Sequence, residues 1–311
     1  MRALARAFAL MGRERDGLRQ PRSDQARSDQ ARGIALLLAA VLGFTLMDAT
    51  AKHLTQTYHP AQVIWARFVG NLLIFALIFR QGMIPLMRTR QPKMQLARAF
   101  MQLGSVGLFF TSLQYIGLAE ATAIMDLNPV LITLGAALFL GEKIGPRRVA
   151  GILAALVGAL LIIRPGLGVF QPAALLPLAG AFTYAAGALL TRMVRSDSVA
   201  TSVMWSAVVG TVATSLVAPF FWQPIAAGDL WAFALLGIFG TVSQYLLVRA
   251  FSAAEAGALA PFGYTGLIWA GVWGWLFFDN LPDNWTIAGA TLIVVAGLYV
   301  WSREARVTKG A

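Results

Sequence analysis

Apolar runs alternate with short polar or Gly/Pro-containing breaks from Gly33 to Trp301. Ten stretches stand out: 33–57, 60–80, 95–116, 118–140, 146–163, 173–194, 199–221, 229–251, 255–278 and 285–302. Each is close to the ~20 residues that cross a ~30 Å hydrocarbon core. They are predicted as helices, because hydrocarbon offers no hydrogen-bond partner to an unpaired backbone group. The pattern therefore predicts an all-α integral membrane protein with ten transmembrane helices. The connecting segments are too short to hold a soluble catalytic domain.

Composition strengthens this reading. Apolar residues make up 58% of the 311 and charged residues only 13%, roughly half the usual charged share. Disorder, a collagen-like chain and a nucleic-acid-binding domain are excluded. The absence of Cys excludes disulfides and thiol chemistry. The net charge of +11 reads as a topology signal. All of the 25 Lys and Arg except Lys52, Arg67 and Arg164 fall in the two tails or at alternate connections. Among them, Arg80, Arg88, Arg90, Lys93 and Arg98 follow the second stretch. This skew predicts a multi-pass membrane protein with both termini in the cytoplasm. In the basic tail, 1–32, Arg6 splits the apolar stretch from Ala3 to Met11, which argues against a cleaved signal peptide. Residues 2–11 suit either a basic amphipathic helix on the inner leaflet or an unstructured tail.

An internal repeat divides the rest. Ala119-Glu120-Ala121 has a counterpart in Ala254-Glu255-Ala256. Leu138-Phe139-Leu140-Gly141-Glu142 leading to Ala150-Gly151 has one in Leu276-Phe277-Phe278-Asp279-Asn280 leading to Ala288-Gly289. The expected organisation is a tail over 1–32, five-helix repeats over 33–164 and 173–302, and a cytoplasmic tail over 303–311. An odd number of helices per repeat inverts the second relative to the first. Transporters built this way hold the substrate near the midplane between the halves.

In these features the chain resembles the drug/metabolite transporter superfamily, EamA type. The resemblance rests on the Leu140-Gly141-Glu142-Lys143 turn, the Gly151…Gly158 helix, and the stretch from Phe44 through Asp48, Lys52 and Arg67. Pro261-Phe262-Gly263-Tyr264 followed by Trp269-Ala270 adds to it. It covers the chain from Gly33 to about Trp301. Asn280 departs from the pattern, since the family often has Glu there. The resemblance implies a proton-linked or gradient-driven carrier of small metabolites. An amino-acid exporter is the first expectation and a nucleoside-like uptake carrier the second.

Charges inside the spans are the most informative residues. At 1.5 Å per residue, Asp48 lies ~15 Å below the outer end of its span, while Arg67 and Asp126 lie ~10 Å inward. Asp48 and Lys52 share a helix face at i and i+4. A lipid-facing charge is costly, so these groups should face protein or a wet cavity and pair. Either Asp48, Arg67 and Asp126 form a structural ion-pair network, or they line the path and hold the charged ends of a zwitterion or a proton. The long stem of Lys52 lets it reach the outer interface. Pro129, beside Asn128, and Pro261, beside Gly263, favour bends in spans four and nine. Trp269 and Trp273, with Tyr264, Tyr184 and Gln244-Tyr245, are candidates for the wall of a substrate pocket. Trp222, Trp231, Trp285 and Trp301 read as interfacial anchors. Gly151, Gly158, Gly289 and Gly297 mark close packing of spans five and ten.

No phosphate-cradling loop, zinc-binding His pair or nucleophile elbow occurs, so neither ATP hydrolysis nor a cofactor or metal is expected. His53 and His59 form no metal-ligand pattern. The expected partners are a small molecule, protons and the bilayer, with no nucleic acid, and monomer and oligomer both stay open. Two other classes remain in view. An integral-membrane enzyme acting on lipid would need an interfacial acid cluster, and a channel would need a continuous pore.

Overall fold

In a computed structural model, residues 23–79, 87–141, 145–164, 171–193, 197–254 and 256–309 are described. All regular structure among them is helical. In chain order the α-helices are α1 Ser23–Thr55, α2 Pro60–Phe79, α3 Pro92–Ser112, α4 Leu118–Met125, α5 Asn128–Leu140 and α6 Pro146–Ile163. The second series is α7 Leu175–Met193, α8 Val199–Val217, α9 Leu230–Ala253, α10 Ala256–Gly263, α11 Thr265–Phe278 and α12 Asn284–Lys309. Among the described residues, six helical segments are long and apolar enough to cross a membrane: Asp29–Thr55, Pro60–Leu77, Leu118–Leu140, Pro172–Met193, Ala200–Phe221 and Ala227–Ala253. Val149–Ile163 and Asn284–Val300 are shorter apolar helices.

The structure departs from the sequence reading in definite places. α1 starts at Ser23, well before Gly33, because the Arg-Ser-Asp-Gln-Ala repeat contains no helix breaker and continues the helix outward. α12 likewise runs to Lys309. α3 begins at Pro92, in the first helical turn where proline's missing N–H is harmless. It therefore starts three residues before the predicted stretch 95–116, which already includes Arg98 although that residue's charge reads with those of the preceding connection. The tail helix considered for residues 2–11, and Glu142, Lys143 and Glu255 of the repeat motifs, lie outside the described residues.

Two apolar spans are interrupted part-way. α4 ends at Met125, Asp126 and Leu127 form a turn, and α5 resumes with Pro129 at its second position. α10 contains Pro261 and ends at Gly263, and α11 resumes after Tyr264. Each proline removes one helical donor, and the turns keep 3₁₀-type bonds instead. These run from Leu127 N–H to the Ile124 carbonyl (3.2 Å) and from Leu267 N–H to the Tyr264 carbonyl (3.1 Å). Both first pieces are eight residues long.

Packing is most extensive between α1 and α9, α3 and α7, and α6 and α12, with α2 lying against α8 and α9 and α8 against α3. One buried cluster gathers Leu54, Val63, Phe68, Phe110 and Leu236. A second gathers Ile124, Leu127, Ala155, Ile162 and Ile293 around the first break. Large apolar side chains such as Leu73, Leu138, Phe139, Leu153 and Leu216 face outward, as a lipid-covered bundle requires. α6 and α12 touch backbone to backbone: a Cβ on Gly158 would lie 2.7 Å from the Gly289 carbonyl oxygen, and one on Gly289 2.5 Å from that of Gly158. Expected packing by these glycines is thus realised, and α2 and α9 meet in the same way at Gly70 and Gly237. Gly158→Ala should lower the stability of the purified protein by about 1–3 kcal/mol. Gly145→Ala, whose Cβ would meet nothing within 4 Å, should leave the melting temperature unchanged.

Candidate functional site

The two interruptions face a common cavity of about 340 Å³. Asp126, Asn128, Pro129, Ile132 and Thr133 contribute from the first broken span, and Gly263 and Tyr264 from the second. Tyr184 of α7 and Gly297, Leu298 and Val300 of α12 complete the lining. Asp126 Oδ2, Asn128 Oδ1 and the Tyr264 hydroxyl are buried without a hydrogen-bond partner. Buried polar atoms of native proteins are nearly always paired, so three orphans in one lining mark a place built for something else. Tyr264 reaches over α12 so closely that its hydroxyl contacts the position a Cβ on Gly297 would take. Glycine at 297 is therefore required by the ring and shapes one wall.

The cavity gathers Asp126, Asn128, Pro129, Tyr184 and Tyr264 of the residues singled out in the sequence. Asp48, Arg67, Gln244, Pro261, Trp269 and Trp273 are not part of its described lining. Asp48 and Arg67 act on each other electrostatically outside that lining. The Arg67 guanidinium lies 5.2 Å from the centre of the Phe110 ring, and its Nε is a buried donor without a partner. Trp273 stacks between Trp269 (5.4 Å) and Phe277 (5.6 Å) and donates to Thr45 Oγ1 (3.2 Å), which ties α11 to α1. Gln244 is half-buried on α9. Its neighbour Tyr245 accepts a hydrogen bond from Arg249 (2.9 Å).

Lys52 does not reach for the interface. It is buried, its Nζ donates to the carbonyls of Leu113 (3.1 Å) and Ile116 (2.7 Å), and it lies 5.5 Å from the centre of the Phe278 ring. It thereby satisfies acceptors that the end of α3 leaves open and adds a cation where the helix dipole is negative. The short turn between α3 and α4 brings those carbonyls within its reach.

Polar clamps that sequence reasoning missed hold two ends of the bundle. At one end the Tyr58 hydroxyl donates to Asp229 Oδ2 (2.6 Å) and accepts from the Ala226 N–H (3.0 Å). The bond to Asp229 holds the Tyr58 phenol above its ordinary pKa, with the Ala226 amide pulling the other way. Gln62, fully buried, exchanges two 3.0 Å hydrogen bonds with the backbone of Gln223. At the other clamp Asp197 Oδ2 accepts from the Thr89 hydroxyl and from Gln95 Nε2 (2.9 Å). Arg98 donates there to the Ser202 carbonyl and to Ser206 Oγ (2.8 Å). A lone Gln at the start of a span was the only signal available for Gln62 and Gln95, and it carries no partner information.

The cavity lies between interrupted helices of a membrane bundle, and comparison with known proteins decides what that bundle is. Residues 31–164 and again 171–302 match the EamA-like transporter family. The chain belongs to that family. The chain is 32% identical to the pseudopaline exporter CntI of Pseudomonas aeruginosa over 271 residues, covering 85% of this chain and 94% of the relative. It is 31% identical to a riboflavin transporter of Rhizobium johnstonii, covering 88% and 92%. Identity to an S-adenosylmethionine uptake transporter of Rickettsia felis is 24%, covering 86% and 92%. A solved protein crystal structure shares the fold with a TM-score of 0.58 at 18% identity, over 90% of this chain and 99% of that one. This EamA-like protein is thus a multi-pass membrane transporter of small molecules. Within the transporter Lys52 is scaffold: Lys52→Met strands two buried carbonyls and should destabilise the purified protein by about 1–3 kcal/mol. Transport and folded yield should then fall in parallel in a paired assay.

Proposed function

We propose that this EamA-like transporter exports small amphipathic metabolites, amino acids first, across the bacterial inner membrane by alternating access. The observation that carries the reading is the cavity between two interrupted spans, with Asp126, Asn128 and Tyr264 presenting unpartnered polar atoms to it. A carrier site of this kind suits a molecule with a polar head and an apolar body, since Ile132, Leu298 and Val300 complete the wall. The named role of the pseudopaline relative supports export. The riboflavin and S-adenosylmethionine relatives favour the second reading, uptake of a nucleoside-like metabolite. Both readings leave the gradient, protons included, as the energy source.

The proposed architecture has ten spans in two inverted halves, 33–164 and 173–302, with both tails in the cytoplasm. Spans four and nine are then α4 with α5 and α10 with α11. The helix contacts support the halves. Exchanging α1 with α7, α2 with α8, α3 with α9, the first broken span with the second, and α6 with α12 turns the pair α1–α9 into α7–α3. The same exchange turns α2–α9 into α8–α3 and α11–α1 into α5–α7, and it maps α2–α8 and α6–α12 onto themselves, all of them observed pairs. The twofold family match is in keeping with this division. In this orientation the cavity, which extends along α5 to Thr133 and along α12 to Val300, lies toward the cytoplasmic half, where an exporter loads. The clamp through Tyr58 and Gln62 then closes the outer end and the clamp through Asp197 and Arg98 the inner one. Asp48 and Arg67 serve as gating charges beside the path.

Counterflow of labelled amino acids in proteoliposomes, with and without a pH gradient, tests the function. Saturable exchange is expected, and linear, unsaturable flux would indicate a channel instead. Asp126→Asn should lower counterflow about tenfold or more, the loss expected when one buried polar contact to the cargo goes, while the folded yield holds. Topology is open to test because the protein has no Cys. Gly228→Cys should react with an impermeant thiol reagent on intact cells, whereas Gly310→Cys should react only after lysis.

A further inference from the structure

We infer that the cavity recognises its cargo through a protonated amine, a reading that rests on the cavity being the cargo site. The orphaned atoms carry the argument. Asn128 Oδ1 can only accept hydrogen bonds, Asp126 Oδ2 does the same when its carboxyl is ionised, and the Tyr264 hydroxyl can accept as well as donate. Among the described lining residues there is no Lys, Arg or His to answer the Asp126 carboxylate. Among the described residues, three cations buried in the bundle are engaged elsewhere: Lys52 on the carbonyls ending α3, Arg67 over Phe110 beside Asp48, and Arg98 in the clamp with Ser202 and Ser206.

A carboxylate withdrawn from water without a counter-charge is strongly disfavoured. In a membrane interior that pressure is greater, and the missing partner is the natural thing for a ligand to supply. An ammonium group brings the compensating charge and up to three donors, enough to reach Asp126, Asn128 and Tyr264 together. The phenol faces of Tyr184 and Tyr264 add cation–π attraction in a site shielded from water. A cargo carboxylate, by contrast, would meet Asp126 and no cation. Of the two ends of a zwitterion, this cavity then holds the ammonium, and the carboxylate of an amino acid lies away from Asp126. At about 340 Å³ the cavity sits at the small end of ligand sites, which limits the cargo to a compact amine-bearing body.

The test uses three probes with the same ring and chain: 2-phenylethylamine, 3-phenylpropanamide and 3-phenylpropionate. Each is titrated at pH 7 against the purified full-length protein in lipid nanodiscs, reading affinity and melting temperature. The amine is expected to bind at least about tenfold tighter than the neutral amide, the value of one charge-assisted hydrogen bond, with the propionate weakest. Asp126→Asn should bring the amine and the amide to equal affinity, and Asp126→Glu should keep the amine preferred. The inference is overturned if the propionate or the amide matches the amine on the unmodified protein, if no amine-dependent stabilisation occurs, or if Asp126→Asn keeps the preference. The ranking on the unmodified protein and on Asp126→Glu decides the matter should Asp126→Asn fail to fold. Loss of the amine preference with counterflow intact sinks this inference alone, whereas absent counterflow sinks the transport reading beneath it.

Discussion

Hydrocarbon donates and accepts no hydrogen bonds, so a transmembrane helix can be interrupted only where protein or a wet cavity receives what it releases. The rest of the structure follows from that constraint. The breaks at Asp126-Leu127 and at Tyr264 sit at matching places in two spans, each after an eight-residue first piece. Each is surrounded by protein: Leu127 is fully buried in the cluster formed with α6 and α12, and Tyr264 lies across Gly297. Interrupting the spans in lipid would leave bare polar groups. Interrupting them here makes a hollow with polar atoms in its wall.

Charge is distributed by the same rule. Polar side chains inside the bundle need partners, and Lys52 finds them in the carbonyls of Leu113 and Ile116. Arg98 is matched by Ser202 and Ser206, and Gln62 by the backbone of Gln223. These groups hold helices in register and have little freedom to act on a passing molecule. Asp126, Asn128 and Tyr264 form the contrasting set, orphaned and gathered on one cavity. Other buried atoms, such as Arg67 Nε and Ser243 Oγ, also lack a partner, so what sets the site apart is that three orphans share one lining.

Much of this was legible in the residues. The apolar runs placed most helix ends within a few residues, and α6 runs from 146 to 163 as read. Pro129 and Pro261 marked the interrupted spans, and the glycines of spans five and ten marked a backbone contact. The candidate list was less uniform. Asp126, Asn128, Tyr184 and Tyr264 converge, while Trp269 and Trp273 form a stack against α1, and Asp48 with Arg67 stays outside the lining. Depth along the membrane can be counted from sequence, but two residues at equal depth can still lie on opposite faces of a bundle. Lys52 and Arg98 were misjudged for a related reason: their partners are sixty to a hundred residues away, and chain position says nothing about such pairs.

What the sequence determined alone is one-dimensional. Hydrophobic length set the class of protein, proline and glycine set where helices bend or touch, and an ionisable residue in an apolar run announced a group needing a partner. Which partner it receives was decided only by the tertiary structure, because hydrogen bonds act over about 3 Å and the bundle's packing alone brings distant segments that close. Lys52 and Asp126 look alike in the sequence, each a charge in an apolar span. Packing supplies Lys52 with two carbonyls and leaves an oxygen of Asp126 facing a cavity.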